Sequence, residues 1–226
     1  MNGMERLKGR MLYFFLLTLG LILLLPISEI SQTWALVYVV LYSVTLGFGI
    51  YIAAIDRMHF LATAASGLTT AIIGAIWVFQ ADNMLLSLGN YLSLVLFQTS
   101  IIVLLLQFVF RFGERVTTDV IYAAVTVYIM LGTTFTPLNM FIETLTRMTT
   151  GGGAWQIHYS PETAISWQQM AYFSFVTLAT MGFGDITPIT SWGQMASITQ
   201  GVIGVMYTAI LIGRLVGRFE TISETR

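Results

Sequence analysis

One stretch of this chain is apolar enough for a bilayer and too short to cross it. Trp167 to Val176 reads Trp-Gln-Gln-Met-Ala-Tyr-Phe-Ser-Phe-Val, without Gly or Pro, whereas a spanning helix needs about 20 apolar residues. Thr177-Leu178-Ala179-Thr180-Met181-Gly182-Phe183-Gly184-Asp185 follows, then Pro188 and a long apolar segment opening at Trp192. This order predicts a half-helix that dips into a membrane and returns on the side it entered. Non-helical backbone at that depth survives only where protein buries it or it faces a water-filled path. Gly182 and Gly184 can take positive φ, so successive peptide planes can turn their oxygens toward one axis. Four such chains would stack oxygen rings able to replace an ion's water shell.

The rest of the chain fits a polytopic membrane protein. It is 56% hydrophobic and 9% charged, with a mean hydropathy of +0.80, outside the range of soluble domains. Six apolar segments approach bilayer length, at about 11–27, 34–55, 60–79, 91–112, 120–141 and 192–216. With a cytoplasmic N-terminus, the inner side carries Arg6, Lys8, Arg10, Arg57, Arg111, Arg115, Arg214, Arg218 and Arg226. Of the 10 basic residues, that leaves Arg147 alone outside, as the positive-inside rule asks. The same topology requires the segment around Trp167–Asp185 to enter and leave on the outer side and places both termini in the cytoplasm. Trp34, Trp77, Trp155, Trp167 and Trp192 all fall near the outer boundary, a favourable depth for an amphipathic ring. No small-x-small cleavage site follows the first apolar run, so it is read as a retained span.

Thr180 to Asp185 resembles the potassium-channel signature, usually Thr-Val-Gly-Tyr-Gly-Asp, with Met181 for Val and Phe183 for Tyr. Tyr172-Phe173-Ser174-Phe175-Val176-Thr177 is similar to the same family's pore helix. The resemblance is to prokaryotic-type potassium channels of the tetrameric cation-channel superfamily. It implies an all-α membrane protein of six transmembrane helices plus a re-entrant pore helix and selectivity filter. The ion ligands would be the carbonyls of Thr180, Met181, Gly182 and Phe183 and the Thr180 hydroxyl, within a filter ending at Gly184. Tyr172, Phe173, Thr177 and Asp185 would support it. Potassium would be the permeant ion, with no cofactor. One such segment cannot enclose a path, so a four-fold homotetramer in a lipid bilayer, the plasma or inner membrane, is expected.

Two domains are expected, a four-helix membrane module over 1–118 and a pore domain over 119–226. In the latter the outer helix runs about 120–141, the outer loop 144–166, the pore helix about 167–177, the filter 180–185 and the inner helix about 192–216. Pro137 is expected to kink or end the outer helix, and Glu143, His158 and Glu162 to be solvated. Gly204 and Gly201 are the candidate gating hinges of the inner helix, with close packing as the plainer alternative. Arg214 and Arg218 are expected to snorkel to headgroups. In six-span voltage-gated relatives the fourth helix carries a basic residue at every third position. Here the fourth span carries no charge before Arg111, so no voltage sensing of that kind is expected. Gly47, Gly49 and Gly67 read as helix-packing points.

Several function classes are excluded or disfavoured. A net charge of −1 offers no basic excess for nucleic acid. No nucleophile is paired with a base, so no enzyme and no small-molecule substrate are legible. Cysteine is absent, which removes disulfides and thiol chemistry, and only His59 and His158 could supply imidazole. The alternatives to a potassium-selective channel are a weakly selective cation channel, on the strength of Met181 and Phe183, and a non-conducting sensor or scaffold built on the pore fold.

Overall fold

The computed structural model describes residues 9–29, 31–53, 57–80, 83–111, 117–159 and 164–223. Arg6, Lys8, Arg115, Glu162 and Arg226 lie outside the described residues, as does most of the join between the two expected domains. Seven helices and one two-stranded ribbon make up the described chain: α1 (Arg10–Leu23), α2 (Gln32–Ala53), α3 (Arg57–Phe79), α4 (Met84–Arg111), α5 (Thr118–Thr150), β1 (Trp155–Ile157), α6 (Trp167–Leu178), β2 (Ile186–Pro188) and α7 (Ser191–Ser223). A 3-10 turn over Pro26–Glu29 follows α1.

Four of the helices are long and apolar enough to cross a membrane, within α3, α4, α5 and α7. One of the six expected spans is shorter than expected. α1 ends at Leu23 rather than near Ile27, after 14 residues, about 21 Å at 1.5 Å per residue. Pro26 has no amide to continue the ladder and disfavours helix in the residue before it, so Leu24 and Leu25 turn out, their amides donating to Gly20 and Ile22. α2 has 22 residues, about the length a crossing needs.

Two other boundaries move outward. α4 begins at Met84, not Tyr91, because Asn83 caps it, its Oδ1 accepting from the amides of Leu85 (3.1 Å) and Leu86 (3.2 Å). α5 runs unbroken through Pro137 to Thr150, so the first part of the expected outer loop, 144–150, is helix. Pro137 is buried, and helices that pack in membranes tolerate proline when neighbours and Thr hydroxyls re-satisfy the backbone. Thr136 Oγ1 donates to the Gly132 carbonyl at 3.2 Å in this turn.

The chain forms two compact units, 1–65 with 99–130 and 208–226, and 66–98 with 131–207. In the first, Phe14 stacks on Phe48 at 5.6 Å and Phe15 on Tyr122 at 5.7 Å. The Asp119 carboxylate accepts from the Gly9 amide (3.1 Å), and Arg10 donates to the Tyr51 hydroxyl. Gly49 packs against Ile101 with no space for a Cβ, while Gly47 faces open space. Of the expected packing points, Gly49 is thus one and Gly47 is not. Arg214 has a partner within the chain. Its guanidinium donates to the Phe110 carbonyl at 2.8 Å and lies over the Phe110 ring at 4.7 Å, where a cation complements the C-terminal end of α4.

The second unit holds α6, the ribbon and the residues singled out by motif. Its core is Ala154, Trp155, Ile157, Ile165, Met170, Phe173 and Ile186. At its α3–α4 turn, Trp77 Nε1 donates to Ser87 Oγ at 2.8 Å, and Tyr91 of α4 stacks on Trp167 at the start of α6 at 6.2 Å.

Candidate functional site

The short helix α6 is fixed at both ends. Ser166 and Gln169 form a reciprocal capping box, the Ser166 hydroxyl accepting from the Gln169 amide (3.2 Å) and the Gln169 side chain from the Ser166 amide (2.9 Å). The Ser-x-x-Gln spacing is a readable start signal that the sequence reading passed over. At the other end, the Met181 amide donates to the Val176 carbonyl (2.9 Å) and the Thr180 amide to the Thr177 carbonyl (3.0 Å). These are the 6→1 and 5→2 bonds of a Schellman motif, with Thr180 in its left-handed position. Glycine usually fills that position. Here a β-branched residue sits at φ 56°, which costs about 1–2 kcal/mol.

Gly182 (φ 57°) and Gly184 (φ 78°) continue the pattern, and among the described non-glycine residues Thr180 alone has positive φ. Handedness therefore alternates along 180–184. Alternation of this kind turns successive peptide planes the same way, amides to one side and carbonyls to the other. The Thr180 and Met181 amides turn back onto α6. A Cβ at Gly182 or Gly184 would meet nothing within 4 Å, so both glycines answer to φ rather than to space. Residues 180–184 are exposed on the single chain.

Beyond this run the backbone is clamped. β1 pairs antiparallel with β2, Trp155 opposite Pro188, Gln156 opposite Thr187 and Ile157 opposite Ile186. The His158 amide donates to the Asp185 carbonyl and the Ile189 amide to the Ala154 carbonyl, both at 2.9 Å. The Tyr172 hydroxyl donates to Asp185 Oδ2 at 2.7 Å. That hydrogen bond, with smaller contributions from desolvation and the Asp185 charge, pushes the Tyr172 phenol up to about 12. His158 is exposed and pairs Nε2 with Thr187 Oγ1 at 2.8 Å.

Glu143 corrects the expectation of a solvated carboxylate. It is 2% exposed and accepts from the Ala154 amide (2.5 Å), the Trp155 amide (3.1 Å) and Arg147 Nε (2.6 Å). It thereby ties the end of α5 to the first residues of the ribbon. A Cβ at Gly153 would lie 2.7 Å from Glu143 Oε1, so the last of the three consecutive glycines serves close approach. Trp155 meets Phe173 edge-on at 5.9 Å, which seats the ribbon on α6.

α7 lies against the C-terminal half of α6. Asn139 Nδ2 donates to Ser174 Oγ and to Gln200 Oε1, each at 3.2 Å, and Gln200 Nε2 donates to the Ser174 main-chain carbonyl at 2.6 Å. All three residues are fully buried. A Cβ at Gly201 would be 3.8 Å from the Thr177 carbonyl, an ordinary contact, whereas one at Gly204 would collide with the Leu178 carbonyl. Of the two hinge candidates, Gly204 thus occupies a close-packing position. Asn139 and Gln200 escaped the sequence reading because an isolated amide in an apolar run carries no motif.

Residues 116–221 match the family model described as "Ion channel". The chain is 38% identical over 45 residues to the intermediate conductance calcium-activated potassium channel protein 4 of Rattus norvegicus, a stretch covering 20% of this chain and 11% of that one. The chain thus aligns with about a tenth of that relative's length. No solved structure matches. These findings support a non-enzymatic membrane protein with an ion-channel domain over residues 116–221 and similarity to a potassium channel over 45 residues.

Proposed function

We propose that this chain is a potassium-selective channel subunit, conducting passively through a pore that four copies enclose. The observation that carries the reading is the alternating handedness at Thr180, Gly182 and Gly184 on a segment whose first amides are held by α6. In a four-fold assembly the carbonyls of Thr180, Met181, Gly182 and Phe183, with the Thr180 hydroxyl, would form successive oxygen rings around dehydrated potassium. Tyr172, Phe173, Thr177 and Asp185 hold that run from behind and beyond. Because the ligands are main-chain, Met181 in place of Val changes packing rather than ligand chemistry.

We read all six apolar segments as spans, with α6 and 180–185 re-entrant from the outer side and both termini cytoplasmic. Charge placement supports this orientation. The large apolar side chains exposed on α7, including Trp192, Met195, Ile198, Val202 and Val205, suit lipid and neighbouring subunits. The absence of charge in α4 before Arg111 supports gating by something other than an arginine-bearing helix. A weakly selective cation channel is the second reading, and its support is Phe183, which lacks the hydroxyl a Tyr would offer to brace the run.

Potassium flux into liposomes holding the purified protein tests the reading. Flux in the wild type that is lost in Gly182→Ala supports it, because alanine resists φ 57°. Equal flux in both places the pore elsewhere.

A further inference from the structure

A buried glutamine in the wall of an ion path is a costly choice. A polar side chain on a membrane helix must find partners within the protein, and Gln200 is fully buried. An apolar side chain would fill the same space without that demand. What Gln200 adds is direction: its Nε2 reaches the main-chain carbonyl of Ser174 at 2.6 Å, while its Oε1 is held by Asn139. The cluster is not arranged for greatest stability, since Asn139 Oδ1 is buried with no partner among the described residues.

The next positions of α7 extend the same contact line. Gln200, Gly201 and Gly204 share one face of the helix and meet the carbonyls of Ser174, Thr177 and Leu178 in turn. The Thr177 carbonyl is also the acceptor for the Thr180 amide. The last turn of α6 is therefore shared, with α7 on its carbonyls and the left-handed Thr180 hung from one of the same groups. The carbonyl that Gln200 binds, at Ser174, lies two and three residues before the two Schellman acceptors, Val176 and Thr177.

We propose that Gln200, locked by Asn139, is a positioning residue for ion passage. It couples the pose of α7 to the backbone at Thr180, so that displacement of α7 switches the 180–185 run between conducting and non-conducting states. Gly204 serves this coupling as a contact rather than as a pivot. The inference rests on the channel reading above.

The experiment compares wild type, Gln200→Met, the double variant Asn139→Leu with Gln200→Met, and Ser174→Ala. Each is purified at full length and recorded as single channels in planar bilayers, with thermal unfolding measured in parallel. Removing both amides leaves neither as the other's orphan, although Ser174 loses a donor to its hydroxyl and one to its carbonyl, so the double variant is expected to unfold closer to the wild-type temperature than Gln200→Met does. Its open probability is nevertheless expected to fall at least tenfold and its potassium-to-sodium permeability ratio to change, as in Gln200→Met. Ser174→Ala, which removes only the hydroxyl that Asn139 binds and keeps the carbonyl that Gln200 binds, is expected to lower the open probability less than Gln200→Met does. A double variant restored to wild-type stability, open probability and permeability ratio together overturns the coupling, because Gln200 would then serve stability alone. Wild-type protein that passes no potassium overturns the channel reading and the coupling with it; conduction that is identical in wild type and folded Gln200 variants overturns the coupling alone.

Discussion

The phenol of Tyr172, on the exposed side of α6, donates a 2.7 Å hydrogen bond to the carboxylate of Asp185, thirteen residues along the chain. This bond closes a loop around the whole 180–185 run, joining the helix that starts it to the residue that ends it. Tyr172→Phe is expected to cost about 1 kcal/mol per subunit, the bond being charge-assisted but open to solvent. The bond pushes the phenol up from its ordinary 10.0 to about 12, so the contribution is expected to be complete below pH 10 and lost as pH rises through 12. Between pH 6 and 9 the phenol is therefore expected to stay protonated and keep donating. Thermal unfolding and current decay of Tyr172→Phe check it: an earlier melt and faster decay are expected, and wild-type values for both contradict the bond's role.

Glu143 is expected to matter more than an ordinary residue at the end of a helix. Glu143→Ala strands the amides of Ala154 and Trp155 and leaves Arg147 without its partner, a loss of about 3 kcal/mol on the scale for breaking a buried pair. Glu143→Gln keeps an acceptor and should lose less. Unfolding temperatures rank the two, and a Glu143→Ala protein as stable as wild type would contradict the tie between α5 and the ribbon.

The glycines of α7 should separate by contact. Gly204→Ala drives a methyl into the Leu178 carbonyl, while at Gly213 a Cβ meets nothing within 4 Å. Gly204→Ala is expected to lower the yield of assembled, conducting protein severalfold. Gly213→Ala is expected to be neutral or slightly stabilising, because alanine is about 1 kcal/mol better than glycine inside a helix. Size-exclusion yield and flux check both. Equal tolerance at the two sites would contradict the packing role of Gly204.

The helix α4 has no charged side chain between Met84 and Phe110. Displacing one elementary charge through 100 mV is worth about 2.3 kcal/mol, work that an uncharged helix cannot extract. Open probability is expected to change only weakly from −100 to +100 mV. A steep activation curve equivalent to several elementary charges per subunit would contradict this.

Where the sequence was legible, a local signal carried the answer. Trp167–Val176 announced a short helix by its length and uninterrupted apolar character, and Gly182 and Gly184 announced positive φ through the missing Cβ. Thr180 was silent because its left-handed conformation is imposed by the Schellman bonds to α6, not by anything in a threonine. The ribbon was hidden for a similar reason: Trp155–Ile157 and Ile186–Pro188 are 3 residues each, and each is a strand only because the other pairs with it. Pro137 misled because proline's local cost was outweighed by packing on both sides of it. Pro26 and Asn83 were ordinary stop and start signals that a count of apolar residues overlooks.

The most direct measurement of the central claim is the reversal potential of reconstituted wild-type protein with potassium on one side of the bilayer and sodium on the other at equal concentration. The expected result is a reversal displaced by about 60 mV or more in the direction of potassium selectivity, which corresponds to at least a tenfold permeability ratio, with the current abolished in Gly182→Ala. A reversal near zero under these conditions, or a current that survives Gly182→Ala unchanged, would contradict a potassium-selective path lined by residues 180–184.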